Sequence, residues 1–487
     1  MKELLADLRS QDPASVAVID KDGAHTRAEI LAAGEELAAR LERGATLLLQ
    51  ADNTWRTVAG MVAAGQVGGL LALISRHSTR QEFEAAREDI VPDAVLADPG
   101  VFTAWDAGDG AAGVLDGWRL AAGPAQPAGR WGDGAVIGLT SGSTGRAKGV
   151  VQSEAALRYA CRSTIEAVGL RPGDTVGGMV PLSSAAAICF GAYLPLMLGG
   201  RMVLSDKWDP AEAVRLLADH GARWTMCVPT MALQLAAAAP EEGMLAGMTA
   251  MTVGGGPMDA GALGRAERRL GTRILRVFGM SECLGHTTPS PDDPAEIRLG
   301  TDGIPFPGTV LRAVDEAGIP LPPGEAGRAQ VRGPSLFEGY ARDGAVVPPE
   351  LTQDGFLPTG DLIEVRPDGP VSVKGREKEM IIRGGRNIDI AEVESAVGRH
   401  PRVDQVCVVA IPDELLGERV AALVVTPSES LDLAELRAHL TREGLMKGKW
   451  PEYVFRVEAL PQNRVGKLSR RDAAELASRL RDGAAAG

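Results

Sequence analysis

Residues 139–149, Leu-Thr-Ser-Gly-Ser-Thr-Gly-Arg-Ala-Lys-Gly, gather four hydroxyls, three glycines and a lysine. That mixture suits a phosphate. Glycine lets the backbone approach, N–H and O–H groups donate to phosphate oxygens, and Lys148 neutralises charge. The apolar run Ala135-Val-Ile-Gly138 before it reads as a buried strand. Ser153-Glu-Ala-Ala-Leu157 after it reads as a helix start, with Ser153 as N-cap and an acid in the first turn. The ordinary P-loop pattern fails, because it requires Gly-Lys followed by Ser or Thr, and Lys148 lies between Ala147 and Gly149. A flexible Gly/Ser turn would have the same composition, so the loop needs company elsewhere in the chain.

That company exists. The loop resembles the signature of the adenylate-forming superfamily, which contains acyl-CoA synthetases, luciferases and the adenylation domains of peptide synthetases. Gly254-Gly-Gly-Pro-Met258 is similar to the family's adenine-platform loop, and Phe278-Gly-Met-Ser-Glu282 to its aromatic-Gly-x-Thr/Ser-Glu motif. Thr359-Gly-Asp361 resembles the ribose-binding Thr-Gly-Asp. Gly375-Arg-Glu-Lys-Glu-Met-Ile381, with Gly384-Gly-Arg-Asn-Ile388, resembles the hinge and the segment after it. Pro461-Gln-Asn-Arg-Val-Gly-Lys467 matches Pro-x-Asn-x-x-Gly-Lys. The motifs occur in family order over residues 135–475.

The resemblance implies roles, residue by residue. Thr140, Ser141, Gly142, Ser143, Thr144, Gly145 and Lys148 would hold the β/γ-phosphates of ATP. Gly254, Gly255, Gly256 and Pro257 would form the adenine platform, with Phe278 stacking on the base beside Gly279 and Met280. Ser281 would bond a phosphate oxygen, and Glu282 would ligate Mg²⁺, a hard cation that prefers carboxylate oxygen. Asp361 would accept the ribose hydroxyls, supported by Arg376. Lys467 would bridge the substrate oxygen and the α-phosphate, stabilising charge in the transition state. Lys378 falls at the family's hinge, and Gly384 and Gly385 in the segment lining the acceptor's thiol path. The acyl pocket departs most from the family: Pro181-Leu-Ser-Ser-Ala-Ala-Ala187 replaces a bulky aromatic-His gate. Ser184, Ala185, Cys189, Met231, Val253 and Cys283 are its expected walls, with His286 a weaker candidate for a polar group beside them.

The elements that must position these residues alternate. Residues 45–50 read as a strand and 57–64 as a helix; residues 224–229 and 230–237 repeat that pair, which indicates α/β architecture with mainly parallel sheet. Residues 108–134 are Gly/Ala/Pro-rich and read as surface loop. From Gly303, short alternating runs between tight turns suggest a small β unit, and from Gly375 helix 391–399, strands 405–411 and 420–426 and helix 432–443 suggest a compact α+β unit. The expected fold is therefore α/β: a large N-terminal domain, residues 1–376, of α/β subdomains plus a small β-barrel-like unit, then a small mobile α+β domain, residues 377–487.

Composition narrows the partners. Lys+Arg number 51 and Asp+Glu 64 in 487 residues, a net charge of −13, which argues against a nucleic-acid partner while leaving room for a local basic pocket. Cys161, Cys189, Cys227, Cys283 and Cys407 are isolated and odd in number, and the six histidines form no cluster; this fits a reducing cytoplasm and neither disulfides nor zinc. The start MKELLADLRS lacks the apolar core of a signal peptide. Thr175–Gly200 carries no charge, but its Gly177-Gly178, Pro181 and Pro195 point to buried strand, loop and helix rather than a membrane span. The reading is an ATP/Mg²⁺-dependent ligase that converts an apolar, aromatic or alicyclic carboxylic acid to acyl-AMP and passes it to CoA. Alternatives are loading of a carrier protein, or adenylation of nitrite for transfer to an aryl amine. A nucleotide sensor without catalysis conflicts with the intact Glu282, Asp361, Arg376 and Lys467.

Overall fold

The computed structural model describes residues 1–487 except 109–110, 128, 141–146, 257, 378–379, 384–385, 414, 427–430, 432, 464–465 and 486–487. Two large sheets dominate the N-terminal part. In one, the parallel strands Thr46–Gln50, Leu70–Ile74 and Ala94–Ala97 continue through Gly134–Thr140 to the antiparallel Lys148–Ser153 and Gly339–Arg342. In the other, the parallel Val176–Gly178, Trp224–Cys227, Ala250–Gly254 and Ile274–Met280 end in the antiparallel Cys283–Thr288. Strands Thr46–Gln50 and Leu70–Ile74 are buried along their whole length, as expected of parallel strands covered on both faces. One apolar cluster runs from Leu47 and Leu71 of the first sheet through Val58 and Leu157 to Val176 and Trp224 of the second.

Two local expectations need correction. Residues 108–134 are not simply loop: strands Ala111–Val114 and Trp118–Ala122 pair there as a hairpin. Its turn carries positive φ at Leu115, Asp116 and Gly117, and Val114, Leu115 and Trp118 are buried, so apolar burial overrides the Gly/Ala composition. The phosphate-loop candidate does not run straight into a helix either. It joins two antiparallel strands, Gly134–Thr140 and Lys148–Ser153, and helix Glu154–Val168 starts only after the second. Ser153 does cap that helix, its Oγ accepting from the Ala156 amide at 3.3 Å. The uncharged stretch after Thr175 forms strand Val176–Gly178 and short helical turns from Ala185 to Met197, and among the described residues no helix is long and apolar enough to cross a membrane.

A four-stranded antiparallel sheet, Val310–Val314, Ala326–Arg332, Leu357–Val365 and Val371–Arg376, follows. The C-terminal domain packs helices Ile390–Gly398, Leu433–Arg442 and Arg470–Ala485 against a sheet of Met380–Arg383, Arg386–Asp389, Gln405–Asp413, Gly417–Val425 and Tyr453–Arg456. Mixed α/β architecture with a large N-terminal and a small C-terminal domain is thus what the chain adopts.

The two large sheets are also joined by charge. Arg76, just past Leu70–Ile74, lies 3.3 Å from Asp52 Oδ1 and bonds both the carboxylate and the carbonyl of Asp206, just past Met202–Leu204. Burial lifts the Asp52 carboxyl to about 6 despite the Arg76 charge and a 2.7 Å hydrogen bond from Gln50. A folded-state pKa above the unfolded 3.8 means the folded chain holds this proton more tightly. The stability it brings is full below pH 3.8 and is lost as pH rises through about 6. We predict that Asp52→Asn raises the thermal midpoint at pH 7.5, by at most about 3 kcal/mol in stability, and that the gain shrinks towards pH 4. A variant less stable than wild type at pH 7.5 would mean the Arg76 attraction outweighs the burial cost.

Candidate active site

Ser281 and Glu282 sit at the tip of a hairpin, because Met280 on Ile274–Met280 pairs with Cys283 on Cys283–Thr288. Neither takes the positive φ usual in two-residue hairpin turns, so the backbone is held from outside. Buried Gln152 donates its Nε2 to the Ser281 carbonyl at 2.6 Å, and the Phe337 amide donates to the Glu282 carbonyl at 2.8 Å. The Tyr340 hydroxyl donates to Glu282 Oε1 at 3.0 Å, and Lys148 Nζ lies 5.1 Å from the Tyr340 ring centroid. Burial and the Glu282 charge push the Tyr340 phenol well above its ordinary range, so it stays a donor. Lys148, from the phosphate-loop candidate, and Glu282, the metal candidate, therefore flank one tyrosine.

Phe278, on the same strand, meets His286 edge to face with ring centroids 4.7 Å apart. His286 is fully buried, and burial drives it down to about 3 against a small opposing pull from the Cys283 carbonyl. It is a neutral ring braced against Phe278, with neither nitrogen in a well-formed hydrogen bond. Asp361, 4% exposed, receives Arg376 Nε at 3.0 Å across paired strands. Arg376 itself is 61% exposed, so the pair has a buried acceptor and a solvent-facing donor.

Lys467 comes from the other domain. Asn463 and Lys467 are bonded to each other twice: Asn463 Oδ1 accepts from the Lys467 amide at 3.0 Å, and the Asn463 amide donates to the Lys467 carbonyl at 2.7 Å. Gly466 takes φ +75°, and a Cβ there would lie 3.9 Å from Val228 and Met231 side-chain atoms. The lysine tip reaches the glycine loop, where a Cβ at Gly255, itself at φ +84°, would lie 2.9 Å from Lys467 Cε and Nζ. Glycine at 255 is thus what admits the lysine. Surrounding protein and the charge of Arg376 push the Lys467 ammonium below the usual lysine range, while Glu282 pulls it back up. The residue keeps solvent access through the cleft, which screens part of that effect.

The structure therefore brings together Lys148, Glu282, Lys467, Arg376 and Asp361, around Gly254–Gly256 and Phe278–Met280. Thr140 ends the strand entering the phosphate loop, while Ser141, Gly142, Ser143, Thr144, Gly145, Pro257, Lys378, Gly384 and Gly385 lie outside the described residues. The pocket residues divide. Ala185 packs against the strand that leads to the loop, since a Cβ at Gly138 would lie 2.6 Å from Ala185 Cβ. Ser184 caps the short helix there by accepting from the Ala187 amide at 3.2 Å. Met231 lines the docking place of the lysine turn, and Val253 is buried in its strand. Cys189 faces Cys161, with sulfurs 3.6 Å apart, and Cys283 faces Ser335 at 3.4 Å. Both thiols are therefore engaged within packed interfaces.

The family profile for AMP-binding enzymes matches residues 6–341, and that for the AMP-binding enzyme C-terminal domain matches residues 392–467. The chain belongs to the AMP-binding enzyme family. Among curated relatives, a Streptomyces salicylyl-CoA synthase / salicylate adenylyltransferase is 35% identical over 72% of this chain and 63% of the relative. The 2,3-dihydroxybenzoate-AMP ligase of Bacillus subtilis is 33% identical over 70% and 63%, and the medium-chain fatty-acid–CoA ligase of Escherichia coli 31% over 69% and 60%. The chain thus spans less than two thirds of the length of these relatives. Among solved structures, ATP-bound MatB from Rhodopseudomonas palustris superposes with a TM-score of 0.82 at 25% identity, covering 98% of this chain and 99% of that one.

In this AMP-binding enzyme, sequence spacing missed Gln152, Tyr340 and Asn53. Each acts across 58 residues or more and lies in no motif, so no local signal marks it. Asn53 is the most connected. Its Nδ2 donates to the carbonyls of Gly178 at 3.0 Å and Val180 at 3.2 Å, and its Oδ1 accepts from the Leu182 amide at 2.8 Å. It pins the segment that opens the expected acyl wall. Asn53→Ala would leave those buried backbone groups without partners, at about 1–3 kcal/mol each before water enters. We expect a thermal midpoint several degrees lower and weakened discrimination among acids; unchanged stability would show that the segment holds itself.

Proposed function

We propose that the chain is an ATP- and Mg²⁺-dependent ligase that joins a carboxylic acid to AMP with release of pyrophosphate, then transfers the acyl group to CoA. The observation that carries this reading is the meeting of Lys148, Arg376 and Lys467 around Glu282 in a chain of net charge −13. Like charges gathered in one cleft call for an anion, and a polyphosphate answers that demand. Gly255 fits the same demand, since the absent side chain leaves room for the lysine to reach the cleft.

In this reading Glu282 ligates Mg²⁺, whose charge would offset that of the phosphates. Lys148 and the hydroxyl loop hold the β/γ-phosphates, Phe278 and Gly254–Gly256 hold the base, and Asp361 accepts from the ribose. A carboxylate oxygen of the acid attacks the α-phosphorus, and the bond to the pyrophosphate oxygen breaks. Lys467 donates to the oxygens that gain charge at that centre, so its stabilisation grows in the transition state. In the second half-reaction the CoA thiolate attacks the acyl carbon and AMP leaves. The acid is proposed to be apolar and aromatic or alicyclic; the salicylate and dihydroxybenzoate named for two relatives support the aromatic choice. Ser184 and Ala185 are its proposed walls. A carrier protein is the second acceptor to test, because relatives include a component of enterobactin synthase.

The test is a panel of acids with ATP and Mg²⁺, read by pyrophosphate release and product mass, with CoA, a phosphopantetheinylated carrier, or nitrite plus an aryl amine as arms. Glu282→Gln should reduce pyrophosphate release about 10²-fold or more while leaving the fold intact. Near-wild-type turnover would remove the metal role from Glu282. Gly385→Leu should spare pyrophosphate release and slow transfer to CoA, because a side chain there would obstruct the thiol. If overall turnover is unchanged, the acceptor enters by another route and the amine arm moves ahead.

A further inference from the structure

The lysine turn is tied to the large domain at a point no motif contains. Helix Pro229–Ala238 begins beneath the turn, and the Thr230 hydroxyl donates to the Gly466 carbonyl at 2.9 Å across 236 residues of sequence. An added Cβ on Gly466 would meet only the Met231 sulfur and the Val228 methyl, both at 3.9 Å. Gly466 is the residue before Lys467, so the bond fixes the backbone that launches the catalytic side chain.

We propose that Thr230 is a positioning residue that latches the lysine turn onto the large domain, setting how much of the time Lys467 stands over Gly255. The proposal rests on the reading of Lys467 as the adenylating lysine. A threonine suits the role. Its hydroxyl donates to the Gly466 carbonyl without adding charge, and a single neutral hydrogen bond contributes about 0.5–1.5 kcal/mol. That is enough to move a two-state balance several-fold and too little to lock it. A stronger tie, such as an ion pair, would hold the turn closed. With no tie, the like charge of Arg376, which already weakens the Lys467 ammonium, would favour its departure.

Three full-length chains test this: wild type, Thr230→Val, which keeps the shape and removes the donor, and Thr230→Ser, which keeps the donor. Amide hydrogen exchange of the peptide containing Asn463, Gly466 and Lys467 is measured with and without ATP and Mg²⁺. Thr230→Val should speed exchange in that peptide about three- to tenfold, with strands Gln405–Asp413 and Gly417–Val425 unchanged. Thr230→Ser should restore the wild-type rate. Equal exchange in wild type and Thr230→Val overturns the latch, as does failure of serine to rescue. The nucleotide arm separates the two ideas. If ATP protects the peptides around Phe278 and Asp361 while Thr230→Val has no effect, the adenylation reading stands and the latch falls. If ATP protects neither, the adenylation reading falls, and a faster Thr230→Val turn then reports a docking contact without that role.

Discussion

Arg376 stands close enough to Lys467 for its charge to act on the lysine, and the site depends on keeping the two together. Like charges do not assemble unaided. Arg376 is held by the Asp361 carboxylate within one antiparallel sheet, and Lys467 is held by an asparagine-closed turn resting on a helix start. Glu282 supplies an opposing charge that pulls the lysine's pKa back up, and it is itself steered by Tyr340, Gln152 and Phe337. The large sheets bring these supports to one edge, because the strand before the phosphate loop and the strand before Ser281 both end there. An anion that enters such a cleft relieves repulsion the fold already bears, so binding gains where folding lost.

How much of this was legible in the sequence follows from the physics of each part. The charged and glycine residues announce themselves, since Gly255, Asp361 and Lys467 each carry a chemistry that spacing preserves. The alternation of buried strands with helices was legible for the same reason: Thr46–Gln50 and Leu70–Ile74 are apolar throughout, and only a strand covered on both faces reads that way. The hairpin within residues 108–134 was not, because its stability comes from burying Val114, Leu115 and Trp118 against partners far along the chain.

The supporting residues are the least legible. Gln152, Asn53, Tyr340 and Thr230 each bond a backbone group or carboxylate from a distant segment. Their side chains are ordinary for strands, loops and helix starts, so composition cannot tell them from neighbours. The expected acyl wall was hard to read for a different reason. Cys189 and Cys283 lie on the segments expected to line it, and helix and strand faces turn their sulfurs towards Cys161 and Ser335. Adjacency in sequence fixed their neighbourhood, and only the facing decided their contacts.

The supports also differ in strength, and the difference has an order. Asn53 makes three hydrogen bonds in a buried place, and Asp361 pairs with Arg376 inside a continuous sheet. Each of these lies within the large domain, where nothing in the proposed reaction requires movement. The lysine turn, which would have to leave, is tied at Gly466, among the described residues, by a neutral hydrogen bond from Thr230, with room left for a Cβ 3.9 Å from the nearest side chains. Strong ties within a body and weak ties between bodies are what a bistable arrangement needs, because the balance can shift only where the difference in free energy is small. The charge of Arg376 acts in the same direction. In the proposed reaction it would weaken the lysine's place over Gly255 while the cleft lacks an anion and would cease to do so once phosphate oxygens stood between the two cations. Closure and nucleotide binding would then favour each other through the same few groups, with Thr230 setting the baseline and the phosphates supplying the rest.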